Sequence, residues 1–516
     1  MAAVTAPLPV LTTEQQETTG TLSIRDRSAP RGVAGVADAP DVAGLTGLTG
    51  LTGLAGLAAG RSRGVGVSAT LAANEELDER RKRGERVLPL AFGEAGVPVA
   101  RVLRNALATA SHLGGYGPVA GAAELRAAAA GYWTRRGLAT SPEDVVCGPG
   151  SKALLYGLLL SLQGGDVAIP RPSWVSYAAQ AALTGIRPVY VPIAGGEGGV
   201  PDPDLLSAAV TAARRAGRRI GAVIVTLPDN PTGTLATSGT VRALCAVARQ
   251  HDLLIISDEI YRDLTHASLP GPGAGSLPGS PAGSPAFSPG GSPAESAAGG
   301  SADREFVSPA DVAPERTVIT SGLSKNLALG GWRLGVARLP GAFPALGALR
   351  DRLLGTCSEI WSAPAAPVQH AAALAFGEPP EITERVARSR HLHAAIARAV
   401  AARFTAAGAG VPAPRGAFYL YPDFAAHRQV LHGRFGVRTS ADLAALLLRG
   451  HGIGVLPGSA FGDPEKALRL RVATSRLYGE AEWQQEAALA VDDPAALPWI
   501  ADSLAWLDDA LAAITR

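Results

Sequence analysis

The chain has 516 residues, 47% of them hydrophobic, and a formal net charge of only +2. It can therefore bury a large core, and it lacks the basic surface of a nucleic-acid-binding protein and the polybasic anchor of a membrane-associated one. Its three cysteines lie far apart in the sequence, which excludes a disulfide framework or a cysteine zinc site, and we expect no metal. The N-terminus lacks the features of a signal peptide, and no run is long enough to span a membrane. These features predict a cytoplasmic protein that acts on small molecules.

Two segments have compositions that are typical of disorder. Residues 1–80 are mostly Ala, Gly, Thr, Val and Leu, and a Gly-Leu-Thr repeat runs from Gly44 to Gly60. Residues 266–308 are rich in Pro, Gly, Ser and Ala and contain almost no large apolar side chains. We expect a weakly ordered N-terminal tail and a disordered surface insertion in the middle of the chain.

Between these segments, and again after the insertion, short apolar runs alternate with helical stretches. The runs are DVAIP, RPVYVP, AVIVTLP, LLIISDE and RTVIT. This alternation predicts an α/β fold with a mostly parallel sheet that is covered by helices on both faces. From about Ala371 onward, long Ala-rich helices and two β-type stretches indicate a smaller second domain. We expect an N-terminal segment over 81–118, a large domain over 119–365 and a small C-terminal α/β domain over 366–516.

Several polar residues follow the predicted strands, at the edge where parallel sheets bind ligands. One of them is Lys325, a rare lysine in a chain whose 47 basic residues are nearly all arginine, so its amine is suited to chemistry that a guanidinium cannot perform. Asp258 could hold a proton on a ring nitrogen of a heteroaromatic ligand, and Trp174 could stack on the face of that ring. The helix that begins after Gly150, together with Arg333, would suit a phosphate. A reactive lysine, a ring, a carboxylate and a phosphate together specify pyridoxal phosphate.

The motifs that carry these residues resemble those of the class I/II aminotransferases of pyridoxal-phosphate fold type I. They are YGPVAGAAELR, GPGSK, RPSWVSY, DNPTG, SDEIY, SKNLALGGWRLG and LRLRVATS, and the resemblance covers Leu88 to the C-terminus except His266 to Phe306. It implies a ping-pong transfer of an amino group between an α-amino acid and a 2-oxo acid. It also implies a homodimer with shared active sites.

The resemblance further implies a role for each motif residue. Lys325 would form the internal aldimine and act as general base and acid, with Asp258 and Tyr261 as the other catalytic residues. The implied cofactor-binding residues are Gly150, Ser151, Lys152, Trp174, Asn230, Asp258, Tyr261, Ser324, Lys325 and Arg333, with Tyr116 reaching the partner subunit's cofactor phosphate. The implied substrate-binding residues are Gly93, Asn230 and Arg469, the last as the clamp for the α-carboxylate.

Some details depart from the family pattern and leave alternatives open. Family members with dicarboxylic substrates place a lysine where this chain has Ser151, while Lys152 is expected to point elsewhere from its helix. Arg471 is expected to be a surface residue of its strand. A pyridoxal-phosphate-dependent lyase or oxidase remains an alternative to the aminotransferase, and so does an aminotransferase-like sensor protein without turnover.

Overall fold

The structure, a computed structural model, describes residues 69–162, 164–266 and 306–516. Most of the predicted tail, and residues 267–305 of the predicted insertion, lie outside the described residues. The described edges of both segments are packed into the compact unit Arg61–Arg516. Leu77 is buried on a helix that begins at Ala69, and His266 is buried with its Nε2 atom 2.9 Å from the carbonyl oxygen of Ala417. The predicted boundaries of the two segments therefore extend into folded structure, because each boundary residue packs or hydrogen-bonds there.

The described residues form twelve strands, most of them short. They are β1 (Leu88–Pro89), β2 (Val145–Gly148), β3 (Asp166–Arg171), β4 (Pro188–Pro192), β5 (Ile220–Thr226), β6 (Leu254–Asp258), β7 (Thr317–Gly322), β8 (Gly335–Arg338), β9 (Tyr419–Leu420), β10 (Ile453–Gly454), β11 (Leu456–Pro457) and β12 (Leu470–Ala473).

The same residues form fifteen α-helices, and none of these is both long and apolar enough to cross a membrane. They are α1 (Ala69–Lys82), α2 (Arg101–Thr109), α3 (Ala123–Thr134), α4 (Ser151–Ser161), α5 (Val175–Leu183), α6 (Pro203–Arg215), α7 (Ser238–His251), α8 (Pro309–Val312), α9 (Pro344–Ile360), α10 (Ala366–Gly377), α11 (Pro380–Ala406), α12 (Arg428–Phe435), α13 (Ser440–His451), α14 (Glu482–Ala490) and α15 (Pro498–Thr515).

The main sheet has seven strands in the order β2-β8-β7-β6-β5-β3-β4. Strand β8 runs antiparallel to both of its neighbours, and every other neighbouring pair is parallel. The predicted, mostly parallel sheet is confirmed, and strands β3 to β7 coincide with the predicted runs. Sequence analysis does not predict β8, because four residues directly after the Arg333 motif are too few to show a strand period.

Helices cover both faces of this sheet. In β5, Ala222 and Ile224 belong to one hydrophobic cluster, while Val223 and Val225 belong to another. Successive side chains of a strand point to opposite faces, so the apolar run of β5 supplies both clusters at once. Helices α4, α5 and α9 pack into the first cluster, and α6 and α7 pack into the second. The polar groups of interest therefore lie at the strand ends rather than on either face.

The C-terminal part of the chain forms smaller sheets beside this one. Strand β12 lies between β11 and β9 in an antiparallel three-stranded sheet, and β1 pairs in parallel with β10. A third cluster buries Leu88 of β1 together with side chains of α11, α13 and α15. The N-terminal segment thus packs with the C-terminal part of the chain, while the division into a large and a small domain stays a prediction.

Candidate active site

The turns that follow the central strands bring the predicted residues to one edge of the main sheet. Strands β5, β6 and β7 are in register, with Thr226 beside Asp258 and Asp258 beside Thr320. Asn230 follows the end of β5 by four residues, and Lys325 follows the end of β7 by three. Because the three strands are parallel and adjacent, these side chains converge.

An anion-binding corner lies where α4 begins. Gly150 precedes the helix with a φ of +94°, and a Cβ atom there would lie 2.6 Å from Nη2 of Arg333. Arg333 itself has a φ of +54°, and its Nη1 donates to the carbonyl oxygen of Gly330 at 2.8 Å. The guanidinium therefore lies beside the backbone of Gly150, with its Nη2 3.4 Å from the carbonyl oxygen of Pro149, at the positive end of the α4 dipole. Such an arrangement favours a phosphate.

Trp174 provides an aromatic wall close to this corner. The ring of Tyr177 meets it edge-on, with ring centroids 5.2 Å apart, and the Nζ atom of Lys152 lies 5.0 Å from the Trp174 centroid. Sequence analysis is wrong about the direction of Lys152, because its methylene chain carries the ammonium back toward the electron-rich face of the indole. Burial, followed by the charge of Arg333, lowers the pKa of the Lys152 ammonium.

Asp258 is a buried carboxylate at the end of β6. It accepts hydrogen bonds from the hydroxyl of Tyr177 at 2.9 Å and from the hydroxyl of Thr320 at 3.4 Å. Burial raises the pKa of Asp258 to about 6, and the hydrogen bonds from Tyr177, the Ile260 amide and Thr320 act in the opposite direction. Asp258 is therefore fixed in position and ionised at neutral pH.

Lys325 faces the same space from the next turn. Its Nζ atom donates to the carbonyl oxygen of Gly93 at 2.5 Å and lies 6.0 Å from the ring centroids of both Tyr261 and Phe418. Burial lowers the pKa of Lys325 to about 8, and the charge of Arg471 lowers this pKa as well. A lysine with such a pKa has a much larger fraction of neutral, nucleophilic amine near physiological pH than an ordinary lysine.

Tyr261 and Gly93 are joined to this space through Tyr419. The hydroxyls of Tyr261 and Tyr419 are 2.8 Å apart. A Cβ atom on Gly93 would lie 2.2 Å from the Tyr419 hydroxyl oxygen, so only glycine allows this close approach. The structure therefore brings Gly93 and Tyr261 together with Lys325, as the sequence implies.

Arg469, which directly precedes β12, and Arg471 of β12 have surroundings opposite to those expected from the sequence. Arg469 has a 40% exposed side chain and pairs with Asp423 at 2.9 Å and Asp463 at 3.3 Å. Arg471, which was expected at the surface, is only 1% exposed. Its Nη1 atom lies 3.5 Å from Oδ1 of Asn230, its Nη2 donates to the carbonyl oxygen of Ala91, and its Nε has no partner among the described residues.

Strand geometry explains why the sequence alone does not separate these two arginines. Side chains two residues apart on a strand point to the same side, so the spacing of LRLRVATS does not tell Arg469 from Arg471. The carboxylates of Asp423 and Asp463 form ion pairs with Arg469. Arg471 has an unpaired Nε donor and lies beside Asn230, and its charge lowers the pKa of Lys325.

Two predicted residues lie apart from these contacts. Tyr116 is 98% exposed in the loop between α2 and α3, and it reaches no other predicted residue within the described part of the chain. Ser324 is half-buried beside Lys325. Across residues 69–162, 164–266 and 306–516, no group of three or more His, Cys, Asp or Glu side chains is arranged to hold a metal ion.

Comparison with known proteins gives a family for this site. The family model described as aminotransferase class I and II matches residues 86–477. The chain belongs to this family. It is accordingly an aminotransferase, which moves an amino group between an amino acid and an oxo acid.

Similar proteins agree in sequence and in structure. The aspartate aminotransferase of Geobacillus stearothermophilus is 32% identical over 79% of this chain and 92% of its own length. A structure of aspartate aminotransferase from Thermus thermophilus with maleate matches with a TM-score of 0.65 at 27% identity, over 82% of this chain and 95% of that one. The aromatic aminotransferase of Pyrococcus horikoshii matches with a TM-score of 0.61 at 26% identity, over 80% and 96%.

Aminotransferases of this class depend on pyridoxal phosphate, and the residues present fit that group. The corner at Gly150 is shaped around the Arg333 guanidinium, which a Cβ atom would displace. Asp258 and Lys325 supply the carboxylate and the amine, each with a pKa moved toward neutrality by burial.

Sequence reasoning missed three side chains of this aminotransferase site: Tyr177, Tyr419 and Arg471. Tyr177 follows Trp174 by three residues, which is the spacing of neighbours on one helix face, so the motif RPSWVSY already contained the signal. No such local signal marks Tyr419, because its contact with Tyr261 joins residues 158 positions apart.

Tyr177 gives a prediction about pH dependence. Tyr177→Phe removes a donor from the ionised Asp258, and one hydrogen bond to a charged group contributes about 1.5–3 kcal/mol, so the pKa of Asp258 should rise by roughly one to two units from about 6. The acidic limb of kcat/KM should move to higher pH by the same amount. The measurement is a pH–rate profile.

The matched control is Tyr156→Phe. Tyr156 is half-buried on α4 and has no hydrogen-bond partner in the described part of the chain. Its profile should overlie that of the wild type. An unchanged acidic limb in Tyr177→Phe would show that the hydroxyl does not tune Asp258.

Proposed function

We propose that this aminotransferase binds pyridoxal 5'-phosphate through Lys325 and holds the α-carboxylate of an amino acid on Arg471. The observation that supports this most strongly is the position of Lys325. Its amine, with a pKa lowered to about 8, lies among the side chains that follow β5, β6 and β7. The residues that we propose to hold a phosphate, a ring and a carboxylate lie on these turns and on neighbouring ones.

Each part of the cofactor has a matching group in this chain. Gly150, Ser151 and Arg333 would hold the phosphate, with Lys152 and Ser324 beside them. Trp174 would cover the ring, and Asn230 and Tyr261 would bind its phenolic oxygen. Asp258 would face the ring nitrogen, and Lys325 would hold the cofactor covalently through Nζ. When bound, the cofactor supplies a ring that withdraws the electrons left behind as the substrate's α-proton departs.

The protein residues supply proton transfer and orientation. Lys325 Nζ would take the α-proton and return it, since its pKa of about 8 lies close to working pH. Arg471 and Asn230 would bind the substrate carboxylate. Gly93 would lie next to that carboxylate and limit where it can sit. Asp258 stays ionised near neutral pH and would keep a proton on the ring nitrogen. This division of roles agrees with the buried, hydrogen-bonded state of Asp258 and the unpaired Nε of Arg471.

The test is a screen of the purified, cofactor-loaded protein against the proteinogenic amino acids with a 2-oxo acid acceptor. Aspartate, glutamate and the aromatic amino acids are the first donors, because relatives are named aspartate and aromatic aminotransferases. Both the 2-oxo acid product and ammonia are measured. Acceptor-dependent oxo acid without ammonia supports the proposal. Ammonia without an acceptor would instead identify a lyase or an oxidase.

We also propose a homodimer whose sites are completed by Tyr116 of each subunit. A tyrosine that is 98% exposed on a loop is suited to reach a neighbouring copy. The proposed location is the cytoplasm, which is consistent with three buried, free cysteines.

The dimer proposal predicts that Tyr116→Phe weakens cofactor binding about tenfold to hundredfold, because one hydroxyl bond to a charged phosphate contributes about 1.5–3 kcal/mol. Titration of the cofactor-free protein with pyridoxal phosphate measures this. Tyr190→Phe, another exposed tyrosine, is the control. An active monomer in sedimentation, or unchanged cofactor affinity, would contradict the shared site.

A further inference from the structure

Asp263 is a carboxylate that the proposed chemistry does not use, yet it lies two residues after Tyr261. It belongs to a short 3-10 helix, Arg262–Leu264, in the turn that follows β6. Its side chain is 11% exposed and accepts hydrogen bonds from three other side chains. The Tyr132 hydroxyl of α3 lies 3.0 Å from both carboxylate oxygens, and Nη2 of Arg136 lies 2.9 Å from Oδ1.

The third donor is Asn326, the residue directly after Lys325. Its Nδ2 donates to Oδ2 of Asp263 at 2.9 Å, and Asn326 is 8% exposed. Its Oδ1 is buried without a partner among the described residues. A buried amide with one unpaired oxygen depends on its remaining hydrogen bond for orientation, since the free oxygen favours no single rotamer. The bond to Asp263 therefore links the Lys325 turn to the turn that follows β6.

The carboxylate is itself held rigidly. Arg136 also pairs with Glu378 at 2.6 Å, and its guanidinium lies 3.6 Å from the Tyr132 ring centroid. Helix α3 and the turn directly after it thus hold Asp263 in place through two donors, Tyr132 and Arg136. Asp263 follows Tyr261 by two residues and accepts a hydrogen bond from Asn326, so it connects the turns of Tyr261 and Lys325. These are the two turns whose side chains approach within 6.0 Å, measured from Lys325 Nζ to the Tyr261 ring centroid.

We infer that Asp263 and Asn326 form a positioning pair that sets the distance between Lys325 and Tyr261 during turnover. This inference rests on the proposed role of Lys325. A shift of the Lys325 turn misplaces the amine that must reach the substrate's α-carbon, whereas the carboxylate contacts of Arg471 and Asn230 lie on other elements. Disturbing the pair should therefore lower kcat and leave KM for the amino donor nearly unchanged.

The experiment reverses the polarity of the pair. Asn326→Asp places a second carboxylate against Asp263, and we expect kcat to fall about tenfold to hundredfold with KM within about threefold, each measured at that variant's own pH optimum. The double variant Asp263→Asn with Asn326→Asp lets the new amide donate to the new carboxylate while its oxygen still accepts from Tyr132 and Arg136. We expect it to recover most of the lost kcat.

Two further variants keep the test decisive if Asn326→Asp folds poorly. Asn326→Ala removes the bond without adding charge and should lower kcat about threefold to tenfold. Asp442→Asn, an exposed carboxylate that caps α13 by accepting from the Thr439 amide at 2.9 Å, should leave kcat unchanged. Thermal unfolding of the cofactor-free proteins separates a loss of folding from a loss of position.

A failure of this inference differs from a failure of the proposed function. Borohydride treatment of the cofactor-loaded wild type, followed by peptide mass analysis, shows first whether Lys325 holds the cofactor. If Lys325 is labelled and Asn326→Asp keeps wild-type kcat, or the double variant recovers nothing while remaining folded, the positioning pair is overturned. If the wild type is not labelled at Lys325, the proposed function itself is wrong.

Discussion

Lys325→Ala should reduce turnover at least about 100- to 10,000-fold, because that is the range lost with one general acid–base group alone. Loss of the covalent bond to the cofactor should reduce it further. The visible absorbance of the bound cofactor should change, and borohydride should no longer fix the cofactor to the peptide containing residue 325. Turnover is measured with the best donor found in the screen. Activity above a tenth of the wild-type value would contradict the role of Lys325.

The matched control is Lys466→Ala, which removes one of the few other lysines from an exposed position. It should retain full activity and normal labelling of Lys325. Loss of activity in both variants would indicate that substitution at lysine disturbs folding rather than chemistry.

Lys325→Ala should also change how the free energy of unfolding depends on pH. The pKa of Lys325 is about 8 in the folded protein, against an ordinary value of 10.5 for lysine, so the unfolded chain binds more protons between these values. The free energy of unfolding of the cofactor-free wild type should therefore receive a contribution that rises as the pH increases through this window. Lys325→Ala should lack that contribution, and the difference between the two proteins across the window is the measurement.

Arg471→Ala should lower kcat/KM for the amino donor by about 100- to 10,000-fold, because two hydrogen bonds between charged groups contribute roughly 3–6 kcal/mol together. Arg471→Lys should recover only part of this loss, since an ammonium cannot form the paired contact. Removal of the Arg471 charge should also raise the pKa of Lys325, because that charge lowers it in the wild type. Steady-state kinetics and titration of the cofactor-free protein measure the two effects.

Arg469→Ala is the natural control, since it removes the neighbouring arginine of the same motif. The Arg469 guanidinium already pairs with Asp423 and Asp463 and is not free to bind a substrate carboxylate, so kcat/KM should change by no more than a few fold. The reverse result, with a large loss in Arg469→Ala and a small one in Arg471→Ala, would restore the assignment implied by the sequence motif and exclude the one proposed from the structure.

Sequence alone was sufficient for the features that depend on local pattern and chain order. The apolar runs predicted β3 to β7 because a strand buried on both faces needs a continuous apolar segment, and the strands came out parallel as their alternation with helices requires. Lys325 and Asp258 were identifiable because they lie at or shortly after the end of such a run, and Asn230 and Tyr261 because their motifs resemble those of a known family. Short elements such as β8 were not, since four residues carry no reliable period.

Tertiary structure alone decided the contacts between residues that are far apart in sequence. Arg469 and Arg471 are equivalent by strand period, and only the placement of Asp423, Asp463 and Asn230 distinguishes the paired arginine from the free one. Likewise, the bond between Asp263 and Asn326 joins two turns 63 residues apart. Burial, which sets the pKa values of Asp258 and Lys325, arises from the packing of whole elements, and no local stretch of sequence specifies it.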